Sequence, residues 1–289
     1  MPDEELLEMQ ITGSLSPSRA ADFKTCPLLY RFRSVDRLPE KPSPAAARGT
    51  IVHAVLEKLF ELPRAERTPE QAQSMVEPAW SELLAEEPVL GELFGDDQGK
   101  ELATWLGTAR TLVKKYFALE DPRRFDPSER EMLVQTVLDD GLLLRGSVDR
   151  MDIAPDGQVR VVDYKTGAAP REMFEAKALF QMKFYALVLW RTTGSIPAQL
   201  KLMYLADRDE LTYSPDQVEL ERLERQLRAL WAAIEKAIET QDFRPHPSRL
   251  CDWCDHHALC PAKGGTPPPF PEEHALSYTI DRRAERPAD

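Results

Sequence analysis

The sequence contains only four cysteines and no long apolar segment. Disulfides are rare in cytosolic proteins, so these cysteines indicate a metal site rather than disulfide bonds. The run at residues 186–190 is typical of the longest apolar stretches, and it is far shorter than the roughly 20 residues that a membrane-spanning helix needs. The N-terminus is acidic and lacks the basic start and apolar stretch of a signal peptide, so we expect a cytoplasmic protein.

Positive charge is scarce overall but unevenly distributed. The net charge of −12 argues against uniform coating of the protein by nucleic acid. Residues 17–50 nevertheless carry seven basic and three acidic side chains, a net charge of +4, whereas residues 61–101 carry eleven acidic and three basic ones, a net charge of −8. This distribution allows a polyanion to meet the first surface and avoid the second, although ordinary solvated faces would also explain it.

The length of 289 residues and the hydrophobic content of 42% suffice for one large domain or two modest ones. We predict a leader over residues 1–15 and a single domain over 16–263. The domain is expected to contain a helical insertion at about 62–120, and a disordered proline-rich tail is predicted over 264–289.

Helix signals precede a change of hydrophobic period in the middle of the chain. Ser16 followed by Pro17 starts a helix that should end near Cys26, and a second helix is predicted at about 48–60. Residues 129–165 then alternate and contain two turn signals, which predicts a three-stranded antiparallel meander. The elements expected after it are a helix at about 171–191, a strand at 200–205 and a long helix at 216–240.

The third predicted strand carries a carboxylate and an amine at its end. Asp163 and Lys165 are two residues apart, so they project from one face of the strand. Burying such a pair is costly because each charge loses its water. A hairpin turn at residues 155–157 would bring Asp149 of the second strand beside Asp163. Two carboxylates and a lysine at the end of a hairpin predict a divalent-metal site that acts on a phosphodiester.

These motifs occur in the order of a known family. The order of elements, with acids on the second and third strands, resembles the PD-(D/E)xK nuclease core, and the sequence is most similar to its RecB-type exonuclease branch. The resemblance implies a restriction-endonuclease-like α/β fold, in which helices flank a central mixed sheet. The motifs that carry it are Ser16-Pro17-Ser18, Cys26-Pro27, Arg48-Gly49-x3-His53, Gly146-Ser147-Val148-Asp149-Arg150, Val162-Asp163-Tyr164-Lys165-Thr166-Gly167, Gln181-x3-Tyr185 and a C-terminal cysteine triplet.

The resemblance also implies roles for the residues of these motifs. His53, Asp149 and Asp163 would ligate Mg²⁺ or Mn²⁺, together with the main-chain carbonyl of Tyr164. Lys165 would orient the attacking water and hold the scissile phosphate. Gln181 and Tyr185 would support Lys165 or the DNA backbone. Glu131 would join as an acid outside the ligand set.

The cysteines are compatible with either of two kinds of metal centre. Cys251, Cys254 and Cys260 have a spacing that suits zinc, with His256 or His257 as the fourth ligand. Similarity to AddB-type and CRISPR-associated RecB-like nucleases instead implies a [4Fe-4S] cluster with Cys26 as the distant fourth ligand. The cluster uses all four cysteines and is the hypothesis we favour, in a structural role.

The resemblance implies a metal-dependent DNA nuclease of repair or recombination, and we expect an exonuclease that acts on single strands or DNA ends. The residues expected to contact nucleic acid are Arg19, Tyr30, Arg31 and Arg48, because arginines and aromatic rings suit backbone contact and base stacking. No helicase motor is recognisable, so a helicase would be a separate chain. The alternatives are a spacer-processing nuclease of CRISPR adaptation and a non-catalytic nucleic-acid-binding module.

Overall fold

A computed structural model describes residues 11–95, 98–169 and 172–271 of the chain. Its centre is a six-stranded mixed sheet. The strands are β1 (Gly13–Leu15), β2 (Glu129–Val137), β3 (Leu142–Ile153), β4 (Val159–Lys165), β5 (Gln199–Tyr204) and β6 (Asp209–Tyr213). The helices are α1 (Pro17–Thr25), α2 (Pro27–Tyr30), α3 (Pro44–Leu59), α4 (Pro69–Ser74), α5 (Val76–Glu86), α6 (Gln98–Tyr116), α7 (Glu172–Thr193) and α8 (Gln217–Thr240). A short π-helical turn, Arg31–Val35, continues α2.

The predicted meander is present and forms the middle of the sheet. Strand β3 pairs antiparallel with both β2 and β4, and it pairs parallel with the short strand β1. Strand β5 adds parallel to β4 after the crossover through α7, and β6 adds antiparallel at the edge. The mixed sheet with helices on both faces confirms the predicted fold class.

Two apolar cores lie on the opposite faces of the sheet. Alternating residues of β4 enter different cores, with Val161 in the first and Val162 in the second. The first core is closed by α7 and α8, and the second by α3, α5 and α6. Helix α3 packs in the second core, and His53 of this helix lies beside the C-terminal end of β4.

Helix α3 begins four residues earlier than predicted. Ser43 caps it by accepting a hydrogen bond from the N–H of Ala46, and Pro44 occupies the first turn. Helices α1, α7 and α8 agree with the sequence patterns to within two residues. Within the described ranges, no helix is both long and apolar enough to cross a membrane.

The chain ends differ from the prediction where the structure describes them. Strand β1 lies within the predicted leader and pairs with the start of β3. At Gly13 the ring of Trp231 packs directly on the backbone, where a Cβ atom would clash with it. The start of the predicted tail is also packed rather than disordered. Pro268 accepts a hydrogen bond of 2.5 Å from Arg31, and Phe270 stacks on Phe243. Residues 1–10 and 272–289 lie outside the described residues.

Candidate active site

The two acids of the meander meet as the hairpin requires. Strands β3 and β4 pair Arg150 with Val162, so the next position along the ladder sets Asp149 opposite Asp163. The ladder then opens slightly, and the N–H of Tyr164 donates a hydrogen bond of 2.6 Å to Asp149 Oδ2. The backbone of β4 therefore holds the carboxylate of β3 in place.

A histidine and a third acid complete a compact group around Asp149. His53 Nδ1 lies 3.5 Å from Asp149 Oδ2 and 3.7 Å from Glu131 Oε1. The other ring nitrogen of His53 lies 2.9 Å from the carbonyl oxygen of Tyr164. Glu131 occupies a left-handed backbone conformation with φ of 43°, which is uncommon for glutamate and directs its side chain at this group.

This arrangement fits a small divalent cation. His53, Glu131 and Asp149 offer ligand atoms that all lie within 4.8 Å of one another, and they form the one such compact group among the residues described. Ligand atoms at about 2.1 Å around an octahedral Mg²⁺ are roughly 3 Å apart, which is close to the 3.5 and 3.7 Å that separate His53 Nδ1 from the carboxylates of Asp149 and Glu131. The carboxylate-rich donor set suits Mg²⁺ or Mn²⁺, and a single imidazole is better tolerated by Mn²⁺.

Asp163 lies beside the group and connects it to the lysine. Asp163 is 2% exposed, and its Oδ2 is 2.7 Å from Lys165 Nζ without accepting a hydrogen bond of good geometry. An unsatisfied buried carboxylate oxygen next to three potential ligands is also consistent with a bound cation. Lys165 donates a hydrogen bond of 2.9 Å to Gln181 Oε1, and Gln181 donates one of 2.8 Å to the hydroxyl of Tyr185.

The pKa shifts of Asp163 and His53 indicate that a nearby positive charge stabilises the clustered acids of the site. Burial and the neighbouring Asp149 raise the pKa of Asp163 to about 6, against the opposing effect of Lys165. Burial lowers the pKa of His53, but hydrogen bonds and charges from Asp149 and Glu131 outweigh it and raise that pKa to about 10. A proton on His53 therefore serves as a counterion, and a metal ion would replace it.

The acids, the lysine and the supporting side chains line one open groove of about 910 Å³. Asp149, Asp163 and Lys165 lie in its wall, and the start of α1 forms another part of the rim. A smaller cavity of about 430 Å³ adjoins it on the other side of His53 and is lined by Glu57 and Glu131. His53 thus lines both openings.

The structure contradicts two of the predicted nucleic-acid contacts. Tyr30 has no exposed surface and Arg31 is 7% exposed, with its guanidinium bound to Asp36 and to the Pro268 carbonyl. Buried side chains cannot stack on bases or reach phosphates. Arg48 donates to Thr108 of α6, and neither it nor Arg19 lines the groove.

Other side chains of the N-terminal segment line the groove instead. They are Ser16, Ser18 and Arg33, and Thr166 joins them from the end of β4. Arg33 donates hydrogen bonds of 2.7 Å to Asp22 and to Glu40. The alternation of aromatic residues and arginines at 30–33 indicated that an arginine of this segment contacts nucleic acid. It did not reveal which one, because the π-helical turn exposes Arg33 and buries Arg31.

All four cysteines line one largely apolar cavity of about 160 Å³. Cys26 lies between α1 and α2, and the other three lie on short 3₁₀ turns near the C-terminus. The N–H groups of His246 and Ser248 lie 3.3 Å from the sulfurs of Cys26 and Cys251, respectively. Burial and the charges of the other three cysteines raise the pKa of Cys254. The fold thus unites thiols that are more than two hundred residues apart.

The histidines of this segment are directed to other partners. His256 is 3% exposed and lies 3.2 Å from Glu40, beside the ring of Phe32. His257 is hydrogen-bonded to the carbonyl of Cys251. No three of the cysteine sulfurs form a compact group within 4.8 Å among the residues described.

Comparison with known proteins identifies this arrangement. Residues 14–261 match the model of the PD-(D/E)XK nuclease superfamily, which spans the sheet, the groove and all four cysteines. The Gene 69 protein of Mycobacterium phage D29 is 24% identical over 271 residues, covering 85% of this chain and 96% of that protein. The Gene 69 protein of Mycobacterium phage L5 is 23% identical over 297 residues, covering 88% and 99%.

A solved structure shares the same architecture. The crystal structure of a provisionally assigned exonuclease from Eubacterium rectale superimposes with a TM-score of 0.55 at 14% sequence identity. The superposition covers 86% of this chain and 88% of that one. At this identity the likeness shows the common fold alone.

Proposed function

The chain belongs to the PD-(D/E)XK nuclease superfamily, and we propose that it is a Mg²⁺- or Mn²⁺-dependent deoxyribonuclease of the RecB type that degrades single strands or DNA ends. The observation that carries the proposal is the sharing of one groove by Asp149, Asp163, Lys165 and His53. A structural ion pair would explain Asp163 and Lys165 alone. It would not explain why an imidazole and two further carboxylates from other elements meet them.

The metal would be held by His53, Asp149 and Asp163, with Glu131 and the Tyr164 carbonyl completing the donor set. A bound Mg²⁺ or Mn²⁺ supplies a more acidic coordinated water and neutralises charge on the phosphate. The side chains of the protein provide the positioning. Lys165 reaches into the groove from the end of β4 and can donate to both the attacking water and a non-bridging phosphate oxygen.

The hydrogen bonds behind Lys165 determine where its amine lies. Gln181 accepts from Lys165 and donates to Tyr185, so the amine is held between Asp163 and helix α7. A fixed amine needs little reorganisation when negative charge develops on the phosphate. This supports a catalytic lysine rather than a general phosphate contact.

The groove walls support a single-stranded or frayed DNA substrate. Hydroxyl groups and Arg33 line the rim near α1, where they can contact a phosphate backbone. The acidic segment at 61–101 would repel a long duplex that extended across it. We further propose a role in DNA repair or recombination, with a separate helicase chain supplying the single strand, because the sequence motifs resemble those of the RecB type.

The test is a cleavage assay on the full-length protein with end-labelled single strands, blunt duplex, circular single strands and RNA. We expect cleavage of linear single-stranded DNA with Mg²⁺ or Mn²⁺ and none with EDTA. Asp163→Asn and Lys165→Ala should each reduce the rate by about 10²-fold or more. Lys183→Ala is the matched control, because Lys183 of α7 binds Glu219 and does not line the groove.

Three outcomes would contradict parts of this proposal. Equal cleavage by Lys165→Ala and wild type would remove the assigned catalytic role. Cleavage of circular strands as fast as linear ones would replace the exonuclease by an endonuclease. Tight DNA binding without metal-dependent turnover would leave a non-catalytic nucleic-acid-binding module.

We also propose that the four cysteines hold a [4Fe-4S] cluster in a structural role. All four line one cavity, and backbone N–H groups approach two of the sulfurs, as is common around iron–sulfur clusters. Anaerobically purified protein should be brown and contain about four iron and four sulfide ions per chain. A colourless protein with one zinc ion per chain would disprove the cluster.

A further inference from the structure

The backbone of Tyr164 belongs to the candidate active site, whereas its side chain lies on the face of the sheet opposite Asp163 and Lys165. Its N–H donates to Asp149 Oδ2 and its carbonyl lies 2.9 Å from the His53 ring. Its ring packs in the second core, edge-on to the rings of Tyr116 and His53. The position of two candidate metal ligands therefore depends on how firmly Tyr164 is held.

The hydroxyl of Tyr164 binds a buried arginine. Arg150, which follows Asp149 in the chain, is 0% exposed and donates a hydrogen bond of 2.7 Å to Tyr164 Oη. Both of its terminal nitrogens also donate to the carboxylate of Glu120, and its Nε is 3.1 Å from Asp152. The guanidinium lies 4.9 to 5.6 Å from the ring centroids of Phe60, Phe125 and Tyr164.

A buried ionic network of this kind needs an explanation other than stability. Apolar residues of similar volume often stabilise a core as well as a buried ion pair does, because the charges lose their hydration. The planar guanidinium fork, however, fixes geometry in a way that apolar contacts do not. Arg150 and Tyr164 are each adjacent in sequence to an acid of the site, so fixing their side chains fixes the strand ends that carry Asp149 and Asp163.

We propose that Arg150 is a positioning residue, which clamps the side chain of Tyr164 so that the Tyr164 backbone holds Asp149 and His53 at metal-binding distance. The inference rests on the proposed metal-dependent function and adds a residue that acts from the face of the sheet opposite Asp163 and Lys165. Glu120 completes the clamp by holding the other side of the guanidinium. Removing the clamp should loosen the metal site while leaving every ligand side chain in the sequence.

The test measures Mn²⁺ binding directly, by electron paramagnetic resonance titration of the full-length protein without DNA. Tyr164→Phe removes only the hydroxyl that Arg150 contacts, and we expect its Mn²⁺ dissociation constant to rise about tenfold or more, as for other residues that orient metal ligands. Tyr213→Phe is the matched control. It likewise removes one hydrogen-bonded tyrosine hydroxyl, which here lies on the edge strand β6 and donates to Glu219, so Mn²⁺ binding should stay within twofold of wild type.

A second variant keeps the test informative if Tyr164→Phe fails to fold. Glu120→Gln preserves the shape of the carboxylate but weakens its hold on Arg150, and we expect Mn²⁺ binding to weaken several-fold. Mn²⁺ affinity within twofold of wild type in a folded Tyr164→Phe or Glu120→Gln protein would overturn the positioning role and leave the proposed nuclease intact. Failure of the wild-type protein itself to bind Mn²⁺ would instead overturn the proposed metal site, and the positioning role with it.

Discussion

Gly146 leaves just enough space for the ring of Tyr185: a Cβ atom at residue 146 would lie 2.5 Å from Tyr185 Cε1. Strand β3 and helix α7 therefore meet at a point where no larger residue fits. Because Tyr185 accepts the hydrogen bond from Gln181, which in turn binds Lys165, this contact helps to position the Lys165 amine. Two sequence motifs that lie far apart in the chain thus form one structural unit.

Replacing Gly146 should impair activity more than stability. Gly146→Ala pushes the Tyr185 ring away from β3, and overpacking of this kind costs about 1–3 kcal/mol of folding free energy. Displacing the hydrogen-bonded side chains behind Lys165 should lower kcat roughly tenfold or more. Thermal unfolding and single-turnover cleavage measure the two effects. Gly107→Ala in α6, where an added Cβ meets nothing within 4 Å, should leave the cleavage rate at the wild-type level.

The hydrogen bond from Lys165 to Gln181 should affect the chemical step rather than DNA binding. Gln181→Ala leaves Lys165 paired with Asp163 alone, so the amine is expected to turn away from the scissile phosphate. We expect kcat to fall about tenfold with KM nearly unchanged, a smaller loss than that of Lys165→Ala. An increase in KM at constant kcat would show that Gln181 binds substrate instead.

Glu131 should be needed for metal affinity. Glu131→Gln removes a negative charge from the group with His53 and Asp149, and the Mg²⁺ concentration at half-maximal activity should rise about 10- to 100-fold. Glu57→Gln is the control, because Glu57 lines the same small cavity but lies outside the compact group. Similar Mg²⁺ requirements for both variants would argue that only the general negative charge of the cavity matters.

Cys26 should control the attachment of the C-terminal segment. Cys26→Ser removes the thiol at the end of α1 that shares a cavity with the three C-terminal cysteines, and the proposed metal centre there would close a loop of more than two hundred residues. We expect loss of bound iron, a lower thermal midpoint and faster proteolysis within residues 245–271. Thr25→Ala is the control, since Thr25 lines the same cavity without a thiol. Full iron content in Cys26→Ser would exclude this cysteine as a ligand.

The buried pair of Arg150 and Glu120 should make stability depend on pH. Burial raises the pKa of Glu120, but the hydrogen bonds and charge of Arg150 outweigh burial and lower it below its ordinary value. A lowered folded-state pKa gives stability that is present above the unfolded-state pKa and is lost as the pH falls through the folded-state pKa. Glu120→Gln should therefore be less stable than wild type at pH 7, and the difference in unfolding free energy should shrink below about pH 4. A difference independent of pH from 7 to 3 would contradict the ion pair.

Local sequence patterns determined most of the central sheet. Alternating apolar residues and two turn signals specified the three-stranded meander, and the period of two placed Asp163 and Lys165 on one face. Strand β6 and the short strand β1 were missed, because five and three residues carry too little periodicity to be recognised. The predicted starts of α1 and α8 were close because a cap residue marks each of them, whereas the capped start of α3 was placed four residues too late.

The sequence by itself determined which residue types could perform the chemistry, because motif spacing and side-chain chemistry are local properties. Tertiary structure alone decided which side chains share the groove. It buried Tyr30 and Arg31, selected Arg33, and brought Glu131 against His53 through a left-handed backbone turn. These outcomes depend on packing between segments that are far apart in the chain, and no window of sequence contains the contacts that decide them.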